Sequence, residues 1–310
     1  MKRSRRVALS VVLVLAMGLV PGCAKKQTPA PTPVTPTPTE SVTPTEAVTP
    51  SVPPTESVPP ILWTPQVRLY FIRGEYLGVA GRTIKVEVPA AGAISTVQLR
   101  AKAAMTALLA GPSAQDKGFG LGTTIPAGTK LNGVKLSGHT ATVDMSSKFE
   151  SGGGSLSMLL RVSQVVYTLT QFEGIDRVAF KLDGKPVSSI GGEGIIVSPP
   201  VTRADFEEQA PPILVESPAP GQSVKSPIFV SGSANVFEAQ FNLEVKDPSG
   251  KVIATRSIKA ASGTGTRGVF RSRIVFESTK TGTGTFVFFD ISEKDGSRID
   301  VIKIPVGMTK

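Results

Sequence analysis

A single cysteine, Cys23, and a single histidine, His139, bound the chemistry open to this chain of 310 residues. A hydrolytic triad would need His139 to orient a serine and to be oriented in turn by a carboxylate. It lies in "LSGHTATV", beside an expected hairpin turn, and a turn role is the simpler reading. Zinc and iron sites draw on clusters of histidine and cysteine, which one of each cannot supply. Chemistry by carboxylates alone needs two acids about 5 to 10 Å apart across a cleft. Asp144, Glu150, Glu173, Asp176 and Asp183 share one region, but their spacing gives no reason for two to converge. Strand-end and turn roles account for them. "KGFGLGTTIP", with Gly118, Gly120 and Gly122, lacks the helix start that a phosphate cradle requires after its loop. "SGGGSLSMLL" does precede a helix, so Gly152 to Gly154 are placed to offer backbone N–H groups to an anion. The lysine and hydroxyl pattern of a nucleotide site is missing there. The expectation is no catalytic site, no cofactor and no metal.

Cys23 has a different use. Lys2, Arg3, Arg5 and Arg6 form a positive head, and Val7 to Val20 form an apolar run. At 14 residues that run is shorter than the roughly 20 a membrane-spanning helix needs. A charged head, a short apolar middle and small residues at the end describe a secretory signal. Its tail, Val20-Pro21-Gly22-Cys23, resembles a lipobox, the site at which bacterial lipoproteins are lipidated on cysteine and cleaved. Gly22 fits the small residue before the cut, while Pro21 is an unusual middle residue. The resemblance implies a diacylglyceryl thioether at Cys23 and a further acyl chain, such as palmitate, on the new amino terminus. One chain holds a protein only marginally, at about 0.8 kcal/mol per buried methylene, so stable anchoring takes two or more. The alternative is an ordinary signal cut elsewhere, leaving Cys23 a free thiol.

Residues 1–22 are thus expected as a lipoprotein signal peptide and residues 23–62 as a lipidated start followed by a disordered linker. Gln27 to Pro60 holds 11 of the 26 prolines, no Lys or Arg, and the acids Glu40, Glu46 and Glu56. So little apolar surface cannot offset chain entropy. Proline-rich chain favours extended geometry at about 3.1 Å per residue, a reach on the order of 100 Å. The net charge of +10 falls to +6 without the four basic residues of the head. It becomes +7 for residues 61–310 once Lys25, Lys26 and the three linker acids are set aside. A mildly basic surface outside the cell suits anionic neighbours, phospholipid heads or wall polymers, and not nucleic acid. With Cys23 lipidated no disulfide is available, so the exported domains rest on their cores. The 288 residues after the signal suffice for two.

Elements for the first core begin near Gln66. "VRLYFI" alternates Val67, Leu69 and Phe71, and "TIKVEV" alternates Ile84, Val86 and Val88, so both predict strands. "STVQLRAKAAMTALLAGPS" predicts a helix capped by Ser95 or Thr96, with Val97, Ala101, Ala104, Met105 and Leu108 inward and Gly111-Pro112 as its stop. "KLNGVKLSGHTATVDM" predicts two strands turning near Ser137-Gly138. A second helix is expected from Leu156 to Phe172, and "RVAFKLDGKPV" predicts a strand turning at Asp183-Gly184. The order β-β-α-β-β-α-β describes an α+β domain over residues 63–198, with helices on one sheet.

"LLAGPS", "TTIPAGTKLNGV", "ATVDMSSKF" and "VVYTLTQFEGIDRVAFKLDGKPV" resemble the GerMN domain of sporulation and spore-germination proteins. The resemblance spans about 120 residues in the family's order. It implies a small, extracytoplasmic, non-catalytic module of bacterial lipoproteins, related to modules that assemble by domain-to-domain packing. Residues 199–211 are expected as a connector, in which Thr202 and Asp205 are able to cap one helical turn. Residues 212–310 hold seven strand-like runs, from "ILVE" to "RIDVIKIPV", with turn signals between several, and predict an all-β sandwich. "ESPAPGQSVKSPIFVSGSANVFEAQFNLEV" and "DGSRIDVIKIPV" resemble the immunoglobulin-like domain of bacterial spore germination.

The expected function is that of a lipid-anchored protein on the extracytoplasmic face of the cell membrane. It would act without catalysis, by binding envelope proteins or by self-assembly through the GerMN-like domain. A wall-polymer binding module, steered to peptidoglycan or an anionic polymer by its basic charge, is the alternative. A wall hydrolase is the third reading.

Overall fold

The computed structural model describes residues 61–89, 95–192 and 194–310. Cys23, the expected signal peptide and all of the expected linker before residue 61 lie outside them. Among the described residues no helix is long and apolar enough to cross a membrane.

The first domain opens with β1 (Ile61–Trp63), β2 (Gln66–Arg73), β3 (Tyr76–Thr83) and β4 (Val86–Val88). β2 pairs antiparallel with β3, and β1 with β4. The sequence places the second strand at "TIKVEV", but the partner of β2 is the run before it, and only Val86–Val88 of the expected strand is extended in a ladder. Gly78 and Gly81 hide β3 from an alternation test. Both are there for close approach: a Cβ on Gly78 would stand 2.5 Å from Leu121 Cδ2, and one on Gly81 2.9 Å from Ala219 Cβ.

α1 (Thr96–Leu109) follows, then the short α2 (Ala114–Gly118). The Gln98 N–H donates to Ser95 Oγ at 3.1 Å and Gly111 closes α1 at φ +81°, the cap and stop that the sequence predicts. Ala101, Ala104, Met105 and Leu108 are buried, while Val97 is only partly so. β5 (Leu131–Ser137) and β6 (Thr140–Met145) turn at Gly138, as expected. α3 (Ser155–Leu169) carries the chain over to β7 (Arg177–Leu182), parallel to β6, before β8 (Lys185–Pro186), β9 (Ser189–Ile190) and β10 (Ile195–Ile196). α3 ends short of the expected Phe172. Its buried residues include Arg161, Ser163, Gln164 and Thr168, so it runs through the domain's middle and not along its surface.

With β3 as the second strand, the order β-β-α-β-β-α-β holds. The strands form separate ladders, β2-β3 and β5-β6-β7-β8, instead of one continuous sheet. The outer edge of β2 explains the split. The Arg68 N–H donates to Gln171 Oε1 (2.8 Å) and its carbonyl accepts from Gln171 Nε2 (2.6 Å). The Tyr70 N–H donates to Thr168 Oγ1 (3.2 Å), and Ile72 exchanges both backbone bonds with Gly122 (2.7 and 2.8 Å). Side chains from α3 and its end thus occupy the positions a further strand would take, and the edge is satisfied without one.

Residues 199–211 pack onto this domain. Val201, Phe206 and Ala210 join its core, Val201 bonds Val178 through both backbone groups, and Asp205 accepts from Thr202 N–H and Oγ1 at the start of the turn Ala204–Gln209.

The second domain is all β: β11 (Ile213–Ser217), β12 (Ser223–Val224), β13 (Ile228–Ala234), β14 (Gln240–Lys246), β15 (Val252–Lys259), β16 (Gly268–Ile274), β17 (Gly282–Ile291) and β18 (Arg298–Met308). The seven expected strands are all present; the two-residue β12 is the addition. They form sheets β11-β13-β16 and β12-β18-β17-β14-β15. Their inner faces share a core rich in phenylalanine, with Phe241 and Phe270 edge to face at 4.9 Å and Phe276 and Phe286 at 5.8 Å. This is the all-β sandwich that the strand pattern predicts.

Candidate functional site

The residues weighed for catalysis take structural positions. His139 Nδ1 lies 3.1 Å from Asp176 Oδ2, with both side chains mostly exposed, and the His139 carbonyl accepts from the Asp176 and Arg177 N–H groups. The pair ties the β5–β6 turn to the start of β7. Asp144 and Asp183 do converge, around a turn. Asp144 Oδ1 accepts from Asn132 Nδ2 (3.2 Å) and Gly184 N–H (3.0 Å), and Asp183 Oδ2 accepts from Ser147 N–H (3.1 Å). Hydrogen bonds from Ser147, and further from Asn132, hold Asp183 below the usual carboxylate range. A general acid needs the opposite shift. Glu150 accepts from Gly191 N–H at 3.4 Å, and Glu173 is exposed.

The glycine loop before α3 has the wrong polarity for an anion. Arg161, 2% exposed, donates to the carbonyls of Phe149 (2.6 Å), Ser151 (3.2 Å), Gly152 (3.0 Å) and Thr124 (2.9 Å). The loop therefore turns its oxygens inward around a guanidinium. Gly122 is spent on β2, and Gly118 ends α2. Among the described residues no three of His, Cys, Asp and Glu gather as metal ligands.

The dense chemistry sits where the two domains meet. β2 supplies Tyr70, α3 supplies Tyr167, the chain after β10 supplies Arg203, and β11 supplies Glu216. Arg203 Nη1 donates to Glu216 Oε1 (2.8 Å), Nε to Thr170 Oγ1 (2.8 Å), and Nη2 to Tyr70 OH and the Tyr167 carbonyl (both 3.2 Å). Its guanidinium carbon lies 4.7 Å from the Tyr167 ring centroid and 5.3 Å from that of Tyr70. The Tyr70 hydroxyl donates to Glu216 Oε1, and Arg68 Nη1 stands 3.9 Å from Glu216 Oε2. Burial, then the Glu216 charge, pushes the Tyr70 hydroxyl well above its ordinary pKa. Burial alone would raise Glu216, but Arg203 and Arg68, with hydrogen bonds from Tyr70 and Arg203, hold it below the usual range. The site therefore carries a guanidinium, a carboxylate and a neutral phenol at neutral pH.

Two further contacts brace this junction. Arg267 of the second domain donates to the Pro211 carbonyl (2.9 Å) and lies 3.7 Å from Glu207, which also accepts from Asn235 Nδ2 (2.8 Å). Across from them, Ala219 meets Gly81, and Gly221 packs so closely that a Cβ would stand 2.9 Å from Gln115 Nε2 and 3.0 Å from the Phe119 ring. Sequence reading missed Tyr70, Tyr167, Arg203 and Glu216. The available signal was "LYFI": an unbroken apolar run marks a strand buried on both faces, where alternation is uninformative. Beside the network, Gln66, Arg68, Arg100, Gln115, Gln222 and Glu216 line an open interdomain cleft of about 670 Å³.

Residues 68–188 match the family model described as "Sporulation and spore germination", and residues 212–297 the one described as "Immunoglobulin-like domain of bacterial spore germination". No protein of curated function matches the chain in sequence. Among solved structures it is similar to a candidate lipoprotein from Clostridium perfringens, at 19% identity over 47% of this chain and 93% of that one, TM-score 0.34. It is also similar to the first GerMN domain of the sporulation protein GerM from Bacillus subtilis, at 24% identity over 46% and 99%, TM-score 0.31. The tandem GerMN domains of the same protein match at 17% identity over 69% and 62%, TM-score 0.32. The chain thus carries a GerMN-like α+β domain followed by an immunoglobulin-like domain, both of the spore-germination type.

Proposed function

We propose that this is a lipid-anchored, extracytoplasmic protein of sporulation or spore germination that works by binding, as a rigid two-domain platform, and not by turnover. Membrane attachment is through lipid on Cys23, the residue that closes the lipobox-like Val20-Pro21-Gly22-Cys23. The observation that carries the binding role is the junction. Arg203, Glu216, Tyr70 and Tyr167 spend their hydrogen bonds on one another, which leaves the second domain fixed against the first. Two surfaces held in a preset relation suit assembly, because a partner that engages both orders nothing on binding. Both modules match family models described by sporulation and spore germination, which supports that setting.

Crosslinking of the full-length protein in intact cells is the test. Crosslinked species that join the GerMN-like domain to a second copy or to an envelope protein are expected. A protein that stays monomeric at its native level, or that turns over muropeptides, contradicts the reading.

A further inference from the structure

The cleft beside the junction has a composition unlike the lock it adjoins. Its charges do not balance. The Glu216 carboxylate is committed to Arg203 and Tyr70. Arg68 reaches it only at 3.9 Å. Arg100 has no ion pair and no hydrogen bond with any described residue; its guanidinium lies between the Trp63 and Phe172 rings, 5.2 and 5.0 Å from their centroids. Two cations therefore face the cleft, Arg68 with one carboxylate oxygen at the limit of an ion pair and Arg100 with none. Guanidinium forks match carboxylate or phosphate oxygens in pairs.

The neutral groups narrow the choice. Gln66 donates to Thr83 Oγ1 (2.6 Å) and keeps its carbonyl oxygen free, while Gln222 accepts from Ala219 N–H (3.1 Å) and keeps its NH₂. Gln115 has no hydrogen bond to a described residue at either end. Carboxamides present one donor face and one acceptor face, the complement of sugar hydroxyls and acetamides. No lysine lines the cleft, so both of its cations are planar guanidinium groups. Trp63, 40% exposed, flanks Arg100 with a ring on which the C–H face of a sugar is able to stack. At about 670 Å³ the cleft has the size of an ordinary small-ligand site.

We propose that this interdomain cleft binds a short acidic, N-acetylated saccharide, carboxylate against Arg68 and Arg100 and hydroxyl or acetamide groups against Gln66, Gln115 and Gln222. The site makes the platform a reader of wall glycan, and it neither requires nor supplies the protein-protein assembly proposed above.

Trp63 is the only tryptophan and touches Arg100, so its fluorescence reports occupancy directly. Full-length protein in detergent would be titrated with a disaccharide muropeptide, and separately with di-N-acetylchitobiose, which lacks the carboxylate, and with a glycerol-phosphate oligomer. Saturable change with the muropeptide, at least tenfold tighter than with chitobiose, is expected. Calorimetric titration of Arg100→Gln, and separately of Gln115→Ala, should show affinity reduced tenfold or more at an unchanged melting midpoint. The inference is overturned by no muropeptide binding, by equal binding of chitobiose, by tighter binding of the phosphate oligomer, or by affinity that survives both substitutions. Crosslinked assemblies that persist while the muropeptide fails to bind would sink this inference alone.

Discussion

Arg203→Ala is expected to lower the stability of the folded part by about 3 kcal/mol, the low end of what breaking a buried ion pair costs. The low end applies because the Arg203 side chain is still 30% exposed, against 15% for Glu216. The loss comes from what remains, not from the missing attraction alone: Glu216 keeps its charge in a largely enclosed site with only Tyr70 and the more distant Arg68 as partners, and the Tyr167 carbonyl and Thr170 hydroxyl lose their donor. In a unit of this size the melting midpoint would fall on the order of 10 °C. Arg203→Lys keeps the charge but not the planar fork, so an intermediate value is expected.

The same network gives a pH signature. Glu216 is depressed in the folded state, so its contribution is present above the ordinary glutamate range and is lost as pH falls through the folded value. Tyr70 is raised, so its contribution is present below the ordinary tyrosine value of about 10 and is lost as pH climbs toward the folded one. Arg203 is what depresses Glu216, whereas it opposes the rise of Tyr70. The difference in melting midpoint between the native chain and Arg203→Ala should therefore be flat from about pH 5 to 9 and shrink only on the acid side. A difference unchanged at pH 3 would remove Glu216 from the account.

Cys23→Ala is expected to move the protein from the membrane fraction to the soluble one, with retention of the signal segment or its cutting at another bond. Two acyl chains of ordinary length, at about 0.8 kcal/mol per buried methylene, hold a protein on the order of 20 kcal/mol. No surface charge compensates for that. The remaining attraction of a +7 body for anionic lipid is screened within about 8 Å at physiological salt. Fractionation by sedimentation, with intact mass of the native protein to read its amino terminus, checks the outcome. Cys23→Ala that still pellets with membrane, resistant to salt, would place the anchor elsewhere.

Much of the fold is legible in the residues because local rules and packing agree. Ser95 caps α1, Gly111 ends it, Gly138 turns β5 into β6, and the seven runs after Pro212 alternate as sandwich strands do. The failures have a common physical origin in tertiary contact. β3 is masked by Gly78 and Gly81, whose missing side chains make room for Leu121 and for Ala219 of the other domain. α3 carries Arg161 and Gln164 inward, against the amphipathic pattern, because carbonyls and hydroxyls of distant loops await them. The junction is the least legible part. Its partners stand 13, 133 and 146 positions apart along the chain, and a buried tyrosine beside a buried glutamate has no spacing to betray it. The lipidation expected at Cys23 rests on the sequence alone, since that residue lies outside those described.

The rigid platform is most directly tested by the distance between the two domains. In a Cys23→Ala background, spin labels at Lys135→Cys on β5 and Lys259→Cys on β15, both exposed positions, report it by pulsed electron resonance. A single narrow distribution that broadens on adding Arg203→Ala is the expected result. A broad distribution in the protein with Arg203 intact would contradict the account.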